Sequence, residues 1–569
     1  MARMLRCGMV RARVVLTGIG FADVGLLYFL AFTTTGLALA APLIGVGATL
    51  AALARGPSYA AMMDVVGSSL RSQASAVTNV LMTCGAVGAL ITGGPSTLFA
   101  NLRPAVLAVS PFFLLGAQLI MVACRTYVSD VPWWITGAEV GPRRRSVALW
   151  RPDAVPHRAT VGSLTDHTPR PAKDNLDFPA GFVWGVATAA HQNEGGNTNN
   201  DWWDWEHDPR SGCPASSGDA CDSFHRWAED VDLVADLGLG AYRFSLEWSR
   251  IEPAEDEWSL GALEHYRRMC ARCHEKAVEP VVTFHHFTTP RWLAARGGWE
   301  APDAPERFAR FVERATRHLG DVIGRACTIN EPNVVAALGY SVGIYPPGFK
   351  NELGRHLKVN QAMVRAHRLA VDAMRSGPGA FPIGLTLSME EMVAAPGGEV
   401  VRDAAEQIIE NTFLEATTGD DFIGVQCYER RVFGPSGELP PEPGARLDQI
   451  GRQYWPQVVE FTVRRAAKVT GIPVVVTENG LNTLDDAERV EFLSEALRGL
   501  HRCIADGIDI RGYFVWTLLD NYAFHRGYNA NPGLFSVDRR TFERRAKPSA
   551  AWYGSVARTN ALVPADSAE

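Results

Sequence analysis

The sequence predicts an α/β fold, a (β/α)8 TIM barrel, over roughly its last two-thirds. Short strand-like runs alternate there with longer helical runs, which favours a parallel sheet with crossover helices. Eight strands close such a barrel. They are predicted near 182–187, 241–246, 281–284, 327–329, 382–387, 422–426, 474–477 and 513–517. In front of the barrel, the composition predicts an all-α membrane-spanning helical segment instead.

The chain of 569 residues is longer than a barrel alone requires. A barrel takes about 250 residues, or more than 400 with insertions. The two parts of the chain differ in charge. Up to Arg125 there are eight arginines, no lysine and only two acidic residues, whereas the whole chain has a net charge of −7. We therefore expect a transmembrane segment over 1–125, a Pro- and Arg-rich linker over 126–176 and the barrel over 177–560.

The N-terminal segment contains long uncharged runs. Between Val14 and Ala54 the only charged residue is Asp23, and this run has room for two helices of the about 20 apolar residues that cross a bilayer. Further uncharged runs over 72–102 and 104–124 allow up to four spans. Arginines precede the first span and follow the last, so both ends, and the barrel, are expected on the cytoplasmic side of a membrane if the number of spans is even.

This glycine-rich segment resembles the last helices of a major facilitator transporter, with a loop such as SSLRSQA at 68–74 between spans. Four spans are only a fraction of such a transporter, whose substrate site lies between two halves. Transport by this chain alone is therefore not expected. Two interpretations remain: the helices are a membrane anchor left by a gene fusion, or the barrel's true translation start lies downstream and the protein is cytoplasmic.

Ten scattered cysteines are typical of a reducing compartment. Cys213 and Cys221 could close a small loop, but we expect no disulfide framework. The string from Cys270 to His274 matches a haem-attachment pattern, yet it falls on a predicted amphipathic helix between the second and third strands. A structural role is favoured there, and neither a metal nor a cofactor is expected.

Two short strings carry the most chemical information: TINEP at 328–332 and TENG at 477–480. Each places a glutamate beside an asparagine directly after an apolar strand-like run. In a (β/α)8 barrel such strand ends point into the mouth of the active site. Glycoside cleavage is the chemistry most in need of two facing carboxyl groups, because one protonates the departing oxygen and the other stabilises or attacks the sugar.

The flanking residues resemble those of the family 1 glycoside hydrolases of the β-glucosidase type. The resemblance covers about 178–558 and follows the family's order. The matching strings are FPAGFVWGVAT at 178–188, QNEG at 192–195, YRFSLEWSR at 242–250, TFHHF at 283–287, the two glutamate strings, WTLLDN at 516–521 and KPSA at 547–550.

The resemblance implies that Glu331 is the general acid/base and Glu478 the nucleophile of a retaining enzyme with a covalent glycosyl-enzyme intermediate. Glu331 must start protonated, so its pKa must be raised, whereas Glu478 must be ionised. The two carboxylates are then expected about 5–5.5 Å apart.

Six further residues match family positions around the sugar. The resemblance implies that Arg243 and Tyr428 hydrogen-bond and orient the nucleophile, which favours its charged form. Hydrogen bonds to the sugar are implied for Gln192, His286 and Asn330, the last at the 2-hydroxyl. Trp516 matches the aromatic floor under the sugar.

The chain also departs from the family pattern. Ala523 stands where the family has a glutamate that binds the sugar's 4- and 6-hydroxyls, so ordinary glucosides are expected to be poor substrates. The phospho-glycosidase pattern is also missing. Replacements around Tyr428 and His286 put the acceptor and sugar-edge contacts in doubt. They are Gln426, Cys427, His285 and Phe287.

The sequence thus predicts a retaining β-glycosidase that hydrolyses a small-molecule β-glycoside without a cofactor, a metal or a nucleic-acid partner. Transglycosylation with an alcohol acceptor requires no different motif and stays open. A catalytically degenerate, sugar-binding barrel is the alternative outside enzymes; the loss of the glutamate at position 523 favours it, and the presence of Glu331 and Glu478 weighs against it.

Overall fold

The computed structural model describes residues 176–562. Its centre is a closed barrel of eight parallel strands in chain order, and all eight predicted strands are confirmed. The strands are β1 (Val183–Ala187), β2 (Ala241–Ser245), β3 (Glu279–His286), β4 (Arg325–Asn330), β5 (Ile383–Ser388), β6 (Phe422–Gln426), β7 (Val474–Asn479) and β8 (Ile510–Trp516).

A crossover helix follows each strand. These helices are α1 (Ser223–Asp236), α2 (Leu260–Glu275), α3 (Ala304–Leu319), α4 (Leu353–Arg375), α5 (Glu399–Glu406), α6 (Val458–Thr470), α7 (Asp486–Ala505) and α8 (Pro548–Thr559). Short helices at the strand ends span Ala190–Asn193, Asp201–Glu206, Trp248–Ile251, Arg291–Ala294, Pro332–Ala336 and Thr412–Leu414.

Small sheets lie outside the barrel. One small sheet has three strands, which follow β5 and β6 in the chain. They are Glu391–Ala394, Arg430–Gly434 and Gly437–Leu439. Two antiparallel pairs join Leu176–Asp177 to Ala561–Leu562 and Phe535–Val537 to Arg544–Ala546.

The predicted membrane segment 1–125, which resembles part of a transporter, lies outside the described residues. So does the predicted linker 126–176, except for residue 176. Within 176–562, no helix is both long enough and apolar enough to cross a membrane.

The barrel interior is filled by a layer of apolar side chains, one from each of six strands. The layer consists of Ala241, Val281, Cys327, Phe422, Val475 and Phe514. Side chains two or four residues further along a strand point to the same face. Arg243, Gln426 and Trp516 follow Ala241, Phe422 and Phe514 in this way, so the apolar layer becomes the base under a polar layer.

Irregularities in the ladder precede both predicted catalytic glutamates. The β4–β5 register shifts between Cys327 and Asn330, and the β6–β7 register shifts between Val476 and Glu478. Such bulges redirect side chains and are common beside active sites. The apolar runs predicted the strands but gave no sign of these shifts.

Cys213 and Cys221 are free thiols, so the possible small loop is not closed by a disulfide. The haem-like string lies on helix α2, as predicted. Cys270 and Cys273 are both buried in the main hydrophobic core, and burial raises the pKa of Cys273 to about 12.

Candidate active site

A cavity of about 440 Å³ opens at the C-terminal ends of the strands. Its lining includes Glu331, directly after β4, and Glu478, near the end of β7. The other predicted site residues on the lining are Gln192, His286, Tyr428 and Trp516, together with Ala523. The remaining two, Arg243 and Asn330, are fully buried and hydrogen-bonded to each other. The structure thus brings all eight predicted residues to one place.

Three donors hold the Glu478 carboxylate. Arg243 Nη1 donates to Oε1 at 2.5 Å, and the Tyr428 hydroxyl donates to Oε2 at 2.6 Å. Gln426 Nε2 adds a bond to Oε1 at 2.7 Å and a second one to Asn330 Oδ1 at 2.9 Å. The sequence had singled out Gln426 only as a departure from the family; its place on the inward face of β6 was the available signal for this contact.

The two carboxyl groups have different electrostatic surroundings. Burial and the nearby charge of Glu478 raise the pKa of Glu331 to about 8. Burial also raises the pKa of Glu478, but the Arg243 guanidinium and the Tyr428 hydroxyl oppose that rise. A carboxylate that accepts a charged hydrogen bond is favoured in its ionised form. Glu478 therefore gives up its proton more readily than Glu331.

The polar layer continues from Arg243 to His286. Arg243 Nη2 donates to Asn330 Oδ1 at 2.6 Å, which turns the Asn330 amide nitrogen to within 3.4 Å of His286 Nε2. The His286 ring stacks on Trp516, with centroids 5.9 Å apart and planes 11° from parallel. Burial lowers the pKa of His286 well below its usual value, and Arg243 adds to this effect, so the imidazole is neutral.

Gln192 is fixed against the segment that leads to Ala523. Its side-chain nitrogen donates to the Tyr522 carbonyl at 3.0 Å, and the Tyr522 amide donates to the Gln192 carbonyl at 3.1 Å. Among the described residues nothing donates to the Gln192 side-chain oxygen. Ala523, Phe524 and Ala530 line the cavity without a side-chain hydrogen-bonding group, whereas His525 and Arg526, which follow Phe524, line it with polar side chains.

Three residues of the lining other than glycine have left-handed backbones: Phe287 with φ of 70°, Glu331 with φ of 42° and Phe524 with φ of 50°. Non-glycine residues in this region cost about 1–3 kcal/mol each and concentrate at functional sites. The backbone of Glu331 is firmly held, because its amide donates to the Thr386 carbonyl and its carbonyl accepts from Val334 and Val335.

Charged side chains that the sequence had not indicated form one rim of the cavity. Arg431 donates to Glu390 at 2.9 Å and to Glu438 at 2.9 Å. Arg452 lies 3.7 Å from Glu429, and its guanidinium carbon is 5.1 Å from the centre of the Tyr428 ring. All of these residues belong to connections outside the barrel strands, where hydrophobic periodicity gives no guide to position.

Comparison with known proteins gives a consistent picture. The model of "Glycosyl hydrolase family 1" matches residues 174–424 and 443–562. The thermostable beta-glucosidase B of Thermobispora bispora is 32% identical over 69% of this chain and 93% of its own length. Beta-glucosidase A of Acetivibrio thermocellus is 29% identical over 68% of this chain and 99% of its own.

Solved structures agree. The chain is similar to the beta-glycosidase BGL167, with 42% identity and a TM-score of 0.64 over 69% of this chain and 100% of that one. It is also similar to a beta-glycosidase from Pyrococcus horikoshii, with 31% identity and a TM-score of 0.65 over 68% of this chain and 96% of that one.

Proposed function

Because the chain belongs to glycosyl hydrolase family 1 and is an O-glycosyl hydrolase, we propose that it cleaves β-glycosides with retention, using Glu331 as acid/base and Glu478 as nucleophile. One observation carries the assignment of roles. The two carboxyl groups share one cavity, but only Glu478 is hydrogen-bonded to a guanidinium, while the pKa of Glu331 is raised to about 8. One group is suited to donating a proton and the other to attacking as an anion.

In the first step the Glu331 proton passes to the glycosidic oxygen while the Glu478 carboxylate attacks the anomeric carbon. The bond from that carbon to the oxygen breaks, the aglycone leaves as an alcohol, and the sugar is bound covalently to Glu478. In the second step ionised Glu331 takes a proton from water, whose oxygen displaces Glu478 from the anomeric carbon. Two inversions give overall retention.

The neighbouring residues support these steps. Arg243, Tyr428 and Gln426 orient Glu478 and stabilise its charge before attack. His286 and Asn330, with the Gln192 side-chain oxygen, supply hydrogen bonds to the sugar. Trp516 offers an apolar face to the ring.

The sugar is proposed to be a neutral hexose or pentose, with β-glucosides as the first class to test because the curated relatives are β-glucosidases. Ala523 makes no hydrogen bond to the sugar's far edge. A sugar that does not depend on a bond at its 4- and 6-hydroxyls is therefore expected to compete well with glucose.

For the rest of the chain, the sequence supports a proposal of its own. Residues 1–125 anchor the protein in a membrane, residues 126–176 are a linker, and the barrel over 177–560 lies on the cytoplasmic side.

In the decisive experiment, the protein is incubated with aryl β-glycosides of glucose, galactose, fucose, xylose and glucuronate. NMR then identifies which anomer of the free sugar is released first. We expect the β-anomer from at least one sugar, and a 2-fluoro derivative of that sugar should add its mass to the peptide that contains Glu478. Release of the α-anomer, or a label on another residue, would overturn the assignment; no turnover and no label would favour a sugar-binding barrel.

A further inference from the structure

Six aliphatic side chains line the catalytic cavity, and we call them the aliphatic wall. Its side chains are all partly exposed to the cavity and come from three separate segments. They are Val334, Ala337, Leu338, Ile344, Ile409 and Ile450. Single exposed aliphatic residues are normal on a protein surface, but several gathered in one concave site mark a place where apolar groups bind.

Two π-helical turns contribute to this aliphatic wall. The turn Ala337–Val342 carries Leu338, and the turn Gln407–Asn411 carries Ile409. A π-turn inserts an extra residue and so rotates the side chains that follow, and such turns are frequent at functional sites. The second turn packs against the short helix Pro332–Ala336 that directly follows Glu331.

The wall lies on the side of the cavity from which the aglycone departs. It begins three residues after Glu331, the proposed donor of the proton to the glycosidic oxygen. The group bonded to the far side of that oxygen must therefore extend past Glu331. Three of the proposed sugar contacts, Gln192, His286 and Trp516, come from the ends of β1, β3 and β8, and the fourth, Asn330, precedes Glu331 at the end of β4.

The arginines of the charged rim are paired with carboxylates of the same rim, and the other polar side chains of the lining include Asn333, His525 and Arg526. Arg431 uses Nε, Nη1 and Nη2 on Glu390 and Glu438, and Arg452 is paired with Glu429. Val334, Leu338 and Ile344 pack partly against the main core and Ile409 against a smaller cluster, but all six aliphatic side chains keep some exposed surface. A ligand gains free energy there by removing apolar surface from water.

We propose that this wall binds the hydrocarbon part of the aglycone, so that the preferred substrates are β-glycosides of medium-length or alicyclic aliphatic alcohols. The inference rests on the proposed function of Glu331 and Glu478 and adds the aglycone class to it. Glycosides of short-chain alcohols and of second sugars are then poorer substrates, since their aglycones cover less of the wall.

The test measures kcat/KM for methyl, butyl, hexyl and octyl β-glycosides of the best sugar from the aryl panel, below the concentration at which octyl glycosides form micelles. Each methylene that becomes buried is expected to raise kcat/KM about twofold to fourfold until the wall is covered. The disaccharide of the same sugar is expected to fall below the hexyl glycoside.

Variants locate the effect on the wall. Leu338→Ser and, independently, Ile450→Ser in a loop are expected to lower the octyl-to-methyl ratio of kcat/KM by about threefold to tenfold. Leu260→Ser is the matched control, because Leu260 is 59% exposed at the start of α2 and does not line the cavity. It is expected to leave the ratio unchanged.

The outcomes separate the two proposals. A kcat/KM that rises with chain length and flattens in both wall variants supports the inference. Equal kcat/KM for methyl and octyl glycosides, or a disaccharide preferred over both, would overturn it while activity on aryl glycosides leaves the proposed function standing. No turnover of any glycoside would overturn the proposed function, and the aglycone class with it.

Discussion

At the scale of single residues, the role of Glu331 can be tested with substrates that differ in their leaving group. The rate loss on substitution of Glu331 should depend on how much the leaving group needs a proton. Glu331→Ala removes the proton donor, and general acid catalysis contributes about 10²–10⁴-fold to rate. We expect a loss of that size in kcat/KM for an unsubstituted phenyl glycoside, whose leaving group is poor. A dinitrophenyl glycoside, whose leaving group requires no proton, should lose far less.

Glu478→Ala is the comparison for this prediction. Because the nucleophile is required whatever the leaving group, its loss should be severe with both substrates. Equal losses in Glu331→Ala for the two leaving groups would contradict the acid/base role.

The pH dependence follows from the two different carboxyl groups. The reaction requires Glu331 protonated and Glu478 ionised, so kcat/KM should fall on the alkaline side near the pKa of Glu331, about 8. The positive charge of Arg452 lowers that pKa. Arg452→Gln removes the charge, and the alkaline limb should therefore move to higher pH.

An arginine outside the cavity serves as the control for this shift. Arg498 lies on α7 beside Glu495, and Arg498→Gln should leave the alkaline limb where it is. If Arg452→Gln moved the limb to lower pH, the electrostatic account of Glu331 would be wrong.

Ala523 provides a test of sugar selectivity. Ala523→Glu restores a carboxylate at the position where the family binds the sugar's 4- and 6-hydroxyls, and a charged hydrogen bond to a sugar hydroxyl is worth about 1.5–3 kcal/mol. We expect kcat/KM for the aryl glucoside to rise about tenfold or more relative to the aryl xyloside, which lacks the 6-hydroxyl. Ala523→Gln, of similar size and without the charge, should give a smaller rise; no gain for glucose in either variant would contradict the interpretation of this position.

At the scale of elements, the strands were predictable and their irregularities were not. Apolar runs such as that of β7 reveal a strand buried on both faces. The register shift between Val476 and Glu478 arises from pairing with β6, which is distant in sequence, and so leaves no local pattern. Gln426 contacts Glu478 through this same pairing. Contacts made by connecting segments, such as that of Arg452 with Tyr428, were beyond prediction for the same reason.

The close packing of β1 against β8 leads to a prediction about the free energy of unfolding. A Cβ added at Gly185 would lie 2.3 Å from the ring of Phe514, which is fully buried in the barrel interior. Gly185→Ala should therefore lower the free energy of unfolding by about 1–3 kcal/mol through overpacking. Urea denaturation followed by tryptophan fluorescence measures the change.

Gly240, just before β2, is the matched control. The nearest atom to a Cβ added there is a backbone oxygen at 3.8 Å. Gly240→Ala should change the stability far less than Gly185→Ala. Equal effects of the two substitutions would show that the contact with Phe514 is not what restricts position 185.

At the scale of the whole molecule, the barrel corresponds to an entire relative. About two-thirds of this chain matches 93% and 99% of the length of two curated β-glucosidases. The catalytic layer, its apolar base and the aliphatic wall all lie within the described residues 176–562. We therefore expect chemistry at the cavity to require no residue from the segment 1–125, which we propose as the membrane anchor.

This division predicts the behaviour of a shortened chain. A protein that starts near residue 170 should retain kcat/KM on aryl glycosides within about twofold of the full chain, because the barrel keeps its own core. The full chain should sediment with membranes and resist alkaline carbonate extraction, since its uncharged runs are long enough to span a bilayer. The shortened chain should stay in the supernatant. A full chain that carbonate releases would contradict the membrane segment, whereas a shortened chain that folds but does not turn over would contradict the independence of the barrel.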